Sequence, residues 1–169
     1  KGIKHEMIYT ILAEHFKEAG DAHEAERVFK SAEQNEMIGT IGYNSWAVIN
    51  FEEGKFREGI AILHRAIEKG KTGPQLFENL GKAYLNIDDM QSTKKVYEQA
   101  IMNNQTTPLI LEQLIRTNND QDNLEESMRI LDIAIRKNET TPSQFGAIAS
   151  KLSCEKKYAE AMKILEEGK

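Results

Sequence analysis

The residues able to do covalent or metal chemistry are few and scattered. The chain has one cysteine, Cys154, and four histidines, His5, His15, His23 and His64. The histidines fall in different helices or phases rather than in one cluster, so no metal site is expected. Cys154 has no histidine or asparagine placed to activate it, which argues against a catalytic thiol. The sequence contains no glycine-rich phosphate loop, no Gly-x-Ser-x-Gly turn and no His-Glu-x-x-His helix. We therefore expect no enzyme activity and no cofactor. The chemistry that does recur is ionic. Glu78 and Lys82 stand four residues apart, and Glu112 and Arg116 repeat the arrangement one repeat length later. Such a pair supports its own helix, and a strip of alternating sign can also orient a charged peptide.

Composition narrows the class. Hydrophobic residues make up 40% and charged residues 29%, the mix of an ordinary folded domain rather than a disordered chain. The net charge of −5 is the wrong sign for a protein whose main task is to grip phosphate backbones, so nucleic acid is not the expected partner. No run approaches the ~18–20 apolar residues of a membrane-spanning helix, and no membrane insertion is expected. The Asn-x-Thr triplets at Asn104 and Asn138 are expected by chance in a chain of this composition. The chain begins Lys1-Gly2-Ile3 and stops inside a helical pattern at Lys169, as a piece of a longer protein would. No targeting segment is visible in it, and an intracellular, cytoplasmic setting is expected.

The elements that must position these side chains come from a period of 34 residues, which needs no insertion or deletion. Ala32 is followed by Ala66, Ala100, Ala134 and Gly168. Ala25 is followed by Gly59, Thr93, Ser127 and Ala161, all small. Phe29 is followed by Leu63, Tyr97, Leu131 and Leu165, all large and apolar. The expected repeats span about 6–39, 40–73, 74–107, 108–141 and 142–169, as one array. Each reads as two amphipathic helices, A then B. In the third, Phe77, Leu80, Gly81 and Tyr84 form one stripe, and Met90, Thr93, Val96, Tyr97 and Ala100 form the next. Breaks fall at Gly20-Asp21, Gly54-Lys55, Asp88-Asp89, Asp122-Asn123 and Lys156-Lys157. Thr107-Pro108 and Thr141-Pro142 combine an N-cap with a proline at the first helical position. In the last helix, about Tyr158 to Glu167, the pattern places Ala161 and Leu165 against helix A, and Met162 and Ile164 elsewhere.

These residues resemble the tetratricopeptide-repeat (TPR) family over nearly the whole chain. The third repeat carries the pattern best, with Phe77, Leu80-Gly81 and Tyr84 followed by Thr93, Tyr97 and Ala100. The second carries Tyr43 and Trp46-Ala47, then Gly59, Leu63 and Ala66. Ile115 stands where a small residue is usual, and Asn50 and Asn118 where an aromatic is usual. The resemblance implies an all-α fold, a right-handed superhelical α-solenoid of five helix-turn-helix repeats, whose helix A residues line a concave groove for a partner peptide or helix. By helical phase the expected groove residues are Asn44, Ser45, Val48, Glu78, Asn79, Lys82, Glu112, Gln113 and Arg116. Thr10, Ile11 and Glu14 continue them at one end, and Gly146, Ala147 and Ser150 at the other.

Within the family, a clamp of lysines, asparagines and an arginine grips C-terminal carboxylates. Here Thr10 and Glu14, or Ser143 and Ala147, occupy positions that such a clamp needs for basic residues and asparagine. The expected role is a protein-interaction scaffold or adaptor. Self-association as a homo-oligomer is the rival within that class. The rival outside it is an RNA-reading array, since Tyr43-Asn44 and Ile67-Glu68-Lys69-Gly70 also resemble pentatricopeptide repeats. Its base-reading positions would be Thr10, Asn44, Glu78, Glu112 and Gly146, and glutamate is a poor neighbour for phosphates.

Overall fold

A computed structural model describes residues 2–168, with side chains from residue 7 onward, so His5 lies outside the described side chains. Ten α-helices occupy these residues: α1 (Gly2–Glu18), α2 (Ala22–Gln34), α3 (Thr40–Glu52), α4 (Phe56–Glu68), α5 (Pro74–Asn86), α6 (Met90–Met102), α7 (Pro108–Asp120), α8 (Leu124–Lys137), α9 (Pro142–Cys154) and α10 (Tyr158–Glu167). They alternate as helices A and B of five helix-turn-helix pairs. The chain forms two compact units, one up to Thr93 and one from Lys94 onward. In the first, α1 packs on α2 and α3, and α3 and α4 both pack on α5. In the second, α7 packs on α8 and α9, and α9 packs on α8 and α10.

The turns explain the period. Every described non-glycine residue with positive φ falls in one of two columns spaced by 34 positions. Gly20, Gly54, Asp88, Asp122 and Lys156 end the A helices, and Glu36, Gly70, Asn104 and Asn138 end the B helices. Each left-handed residue is followed by a backbone N–H that closes on a carbonyl five residues back. Examples are Asp89 N–H to Tyr84 at 2.9 Å and Gln105 N–H to Ala100 at 2.8 Å. This is the Schellman closure, which satisfies orphan carbonyls at a helix end. Asn104 and Asn138 therefore have a local reason to be asparagine. The four alanines Ala32, Ala66, Ala100 and Ala134 all accept the closing bond of helix B.

Caps fix the starts. Asp21, Asp89 and Asn123 accept from the backbone N–H three residues on, at 2.9 to 3.2 Å. Thr107 and Thr141 cap α7 and α9, and Thr141 with Gln144 forms a complete capping box.

Packing follows the columns. Ala25, Gly59, Thr93, Ser127 and Ala161 are buried. The two hydroxyls among them are satisfied across the pair, Thr93 Oγ1 to Gly81 O at 3.4 Å and Ser127 Oγ to Ile115 O at 3.2 Å. A Cβ at Gly59 would lie 2.2 Å from the Phe51 ring. Asn50 and Asn118 are buried, and each turns its amide back to the carbonyl four residues earlier, Trp46 and Leu114, at 2.9 Å. That bond is how a polar side chain replaces the usual aromatic. Buried Ile115 replaces a small residue without loss of the pair.

One expectation is corrected. In α10, Ile164 is buried and Leu165 is 43% exposed, the reverse of the phase read from the sequence. Ile164 lies with Leu124, Met128 and Leu152 in its own pair of helices and the one before. The column of Phe29 and Leu63 serves the joint to a following helix A, and no such helix covers Leu165 among the described residues.

Two stability outcomes follow. Ala100→Leu should cost about 1–3 kcal/mol by overpacking a fully buried position. An unchanged urea midpoint would show that the column tolerates bulk. Lys156 has φ 62° and no favourable αL chemistry. Lys156→Gly should stabilise by up to about 1 kcal/mol, read as a raised melting temperature.

Candidate functional site

The side chains of each helix A that are not used in packing share one face of that helix. In the first unit these faces belong to α1, α3 and α5. Asn44 and Asn79 meet there, Asn79 Nδ2 donating to Asn44 Oδ1 at 2.9 Å. Asn79 Oδ1 accepts from Gln75 at 3.3 Å. Ser45 donates to Glu14 at 3.1 Å. Asn44, Ser45 and Val48 border a hollow of about 250 Å³ together with Glu14, Lys17 and Ile49. Lys82 reaches back to Glu78 at 2.6 Å, within one helix. Gln113 of α7, in the second unit, is half-buried.

The second unit has the larger opening. A trough of about 730 Å³ runs between α7 and α9. It is lined by Gly146, Ala147 and Ser150 of α9 together with Arg116, Asn119, Asp120, Asp122, Ser143, Lys151 and Cys154. A Cβ built on Gly146 meets nothing within 4 Å, so the space above it is open. Asn119 Nδ2 donates to Ala147 O at 3.0 Å and fixes the spacing of the two helices there. Lys151 pairs with Asp122 at one end of the trough.

Glu112 and Arg116 pin the other end. Arg116 Nε and Nη2 both donate to Glu112 Oε1 at 3.1 Å. Ser143 Oγ donates to the same oxygen at 2.8 Å and accepts from Arg116 Nη2 at 2.8 Å. Thr141 Oγ1, the N-cap of α9, donates to Glu112 Oε2 at 3.3 Å. The i,i+4 pair foreseen in the sequence is thus one part of a network that ties α7 to the start of α9. Partial burial pushes the Glu112 carboxyl up, but hydrogen bonds from Ser143, Arg116 and Thr141 and the charge of Arg116 hold it below the usual carboxylate range.

Sequence reasoning placed Arg116, Gly146, Ala147 and Ser150 on this face and missed Asn119, Asp122 and Lys151. Asn119 follows Arg116 by three residues and Lys151 follows Ala147 by four, so helical phase could have found both. Of the histidines, His15 and His23 are exposed. His64 is half-buried and shares a hydrogen bond of 2.7 Å with the Tyr84 hydroxyl. Among the described residues, no group of three or more His, Cys, Asp and Glu is placed to hold a metal. Among the same residues, no helix is long and apolar enough to cross a membrane.

No family model and no curated protein matches the sequence. Solved structures match the fold. A crystal structure of MamA matches with TM-score 0.72 at 16% identity, over 98% of this chain and 90% of that one. YrrB, described as a TPR protein with an unusual peptide-binding site, matches with TM-score 0.69 at 12% identity, over 96% of this chain and 84% of that one. PilF of Pseudomonas aeruginosa matches with TM-score 0.70 at 14% identity, over 99% of this chain and 78% of that one. The chain has the tetratricopeptide-repeat fold.

The lowered Glu112 carboxyl makes a signed prediction. Its contribution is present above the unfolded glutamate pKa of about 4.3 and is lost as pH falls through the lower folded value. Glu112→Gln should therefore cost roughly 1 kcal/mol at pH 7, and the difference should be smaller at pH 3. Urea unfolding at the two pH values checks it.

Proposed function

We propose that this chain is a non-catalytic protein-interaction module that holds a partner peptide or helix on its helix A face. Asn44, Ser45, Val48, Glu78, Asn79 and Lys82 contribute to that face in the first unit, and Glu112, Gln113 and Arg116 in the second. The trough between α7 and α9 is the seat. The observation that carries this reading is the combination of a wide opening with small residues, Gly146, Ala147 and Ser150, along its α9 wall. A wall without bulk lets a main chain or a helix approach closely, while Arg116, Asp120, Asp122 and Lys151 offer both signs of charge. Mixed charge at an interface orients a partner more than it adds affinity. The peptide-binding site ascribed to YrrB, which has the same fold, supports a peptide as the occupant. The acidic net charge favours protein over RNA.

Selection from a displayed random-peptide library tests the reading. Peptides recovered on the parent chain should lose at least tenfold in affinity on Ala147→Trp, which fills the trough. They should bind unchanged to Lys95→Glu, a substitution on the exposed side of helix B in α6. Circular dichroism should be the same for all three proteins. Peptides that ignore Ala147→Trp but respond to Lys95→Glu would move the site to the helix B face.

A further inference from the structure

Three contacts set the level of one wall of the trough against the other. Arg116 Nη2 meets Ser143 Oγ at 2.8 Å, Asn119 Nδ2 meets Ala147 O at 3.0 Å, and Asp122 pairs with Lys151. Asp120 falls between the second and third of these in sequence, so it stands at the level of Ala147 to Lys151. It follows Arg116 by four residues and so shares that residue's face of α7. The α9 residues at that level include Ala147 and Ser150, which are small and leave space beside it.

The charges of the lining are spent unequally. Arg116 gives its Nε and Nη2 donors to Glu112 and Ser143. Lys151 is engaged by Asp122, whose carboxyl its hydrogen bond and charge hold below the ordinary range. Asp120 is exposed, and no donor among the described residues bonds to it. Asn119 Oδ1 is buried and receives no hydrogen bond. The charged and amide groups left over at the trough are therefore acceptors. With Glu112, which Arg116 holds, the carboxylates of Glu112, Asp120 and Asp122 outnumber the cations of Arg116 and Lys151.

We propose that the occupant of the trough is a basic segment of a partner protein, with a lysine or arginine that crosses Ala147 and Ser150 to pair with Asp120. This rests on the reading of the trough as a peptide seat and adds the chemistry of what sits there. A cationic head carries only donors, which is what the leftover acceptors lack, and its aliphatic stem suits a wall of small residues. An acidic segment finds no such place. To meet Arg116 it must draw the guanidinium away from Glu112 and Ser143. That leaves the partly buried Glu112 carboxylate without its cation, which is costly. To meet Lys151 it must displace Asp122. The net charge of −5 also favours the approach of a basic partner.

Peptides from a displayed random library whose binding is lost on Ala147→Trp are the probe. They should be enriched in lysine and arginine over the unselected library. Asp120→Asn, an isosteric change at an exposed position, should weaken their binding by about three- to tenfold with unchanged circular dichroism. Replacing the responsible lysine or arginine of a recovered peptide by glutamine should weaken binding to the parent by the same factor and to Asp120→Asn by nothing further. Asp120→Lys should bind that peptide better with glutamate at the same place than in its original form. Recovered peptides without basic enrichment, or an affinity that Asp120→Asn leaves unchanged, overturn the proposal and leave the trough as the seat. A library that yields no peptide sensitive to Ala147→Trp overturns both.

Discussion

Close approach of helix B to the helices on either side is the constraint on which the rest of the structure depends. At the crossing with its own helix A, the position filled by Ala25, Gly59, Thr93, Ser127 and Ala161 admits nothing larger than threonine. Gly59 shows the limit, since a single methyl there would overlap the Phe51 ring. Where the small residue carries a hydroxyl, as Thr93 and Ser127 do, a carbonyl of helix A accepts it and the polar group costs little. With the helices this close, each pair still has an uncovered apolar side, and only a neighbouring pair can bury it. The stacking of Phe29 on Trp46 is that burial at its largest, reinforced by Arg65, whose guanidinium lies 5.2 Å from the centre of the Trp46 ring.

Polar clusters in this chain tie helices together before they do anything else. Glu33 of α2 accepts from the Tyr43 hydroxyl of α3 at 2.9 Å and from Arg65 and Lys69 at 3.2 Å. Burial pushes its carboxyl up, but these donors hold it below its ordinary range. Glu112 does the same between α7 and α9. In both cases one carboxylate gathers donors from different helices and sets an orientation that apolar packing alone leaves soft. Glu78 pairs with Lys82 at the same i,i+4 spacing.

The fold was legible because small residues, caps and breaks recur in fixed columns that no single repeat would reveal. Thr141-Pro142 could be read as a helix start from its residue types alone, and α9 starts there. Two things were not legible. The left-handed column of Glu36, Gly70, Asn104 and Asn138 went unread because glutamate at its first position hides the preference that glycine and asparagine show at the others. The phase of α10 was misread because Leu165 inherits its type from a column whose burial comes from a following helix A, not from its own pair. Of the candidate site, the helix A residues could be assigned by phase. The network of Glu112 with Ser143 and Thr141 could not, because it joins residues 29 and 31 positions apart, a separation set by how α9 lies on α7.

The same columns explain the recess between α7 and α9. Along the helix A face, the three positions not used in packing read Asn44, Ser45 and Val48 in α3, and Glu78, Asn79 and Lys82 in α5. They read Glu112, Gln113 and Arg116 in α7, and Gly146, Ala147 and Ser150 in α9. Between α3 and α5, Asn79 bonds Asn44 across the face. In α9 all three are small. The side chains of α7 then have nothing opposite them but backbone and hydroxyl, which is why Asn119 bonds the carbonyl of Ala147 rather than a side chain. A trough is what remains when one helix of a repeating face gives up its bulk. Stability gains little from that loss, because glycine at position 146 weakens a helix by roughly 1 kcal/mol relative to alanine. That cost falls on an open face, away from any turn that would require glycine, where nothing stands within 4 Å of a Cβ at position 146.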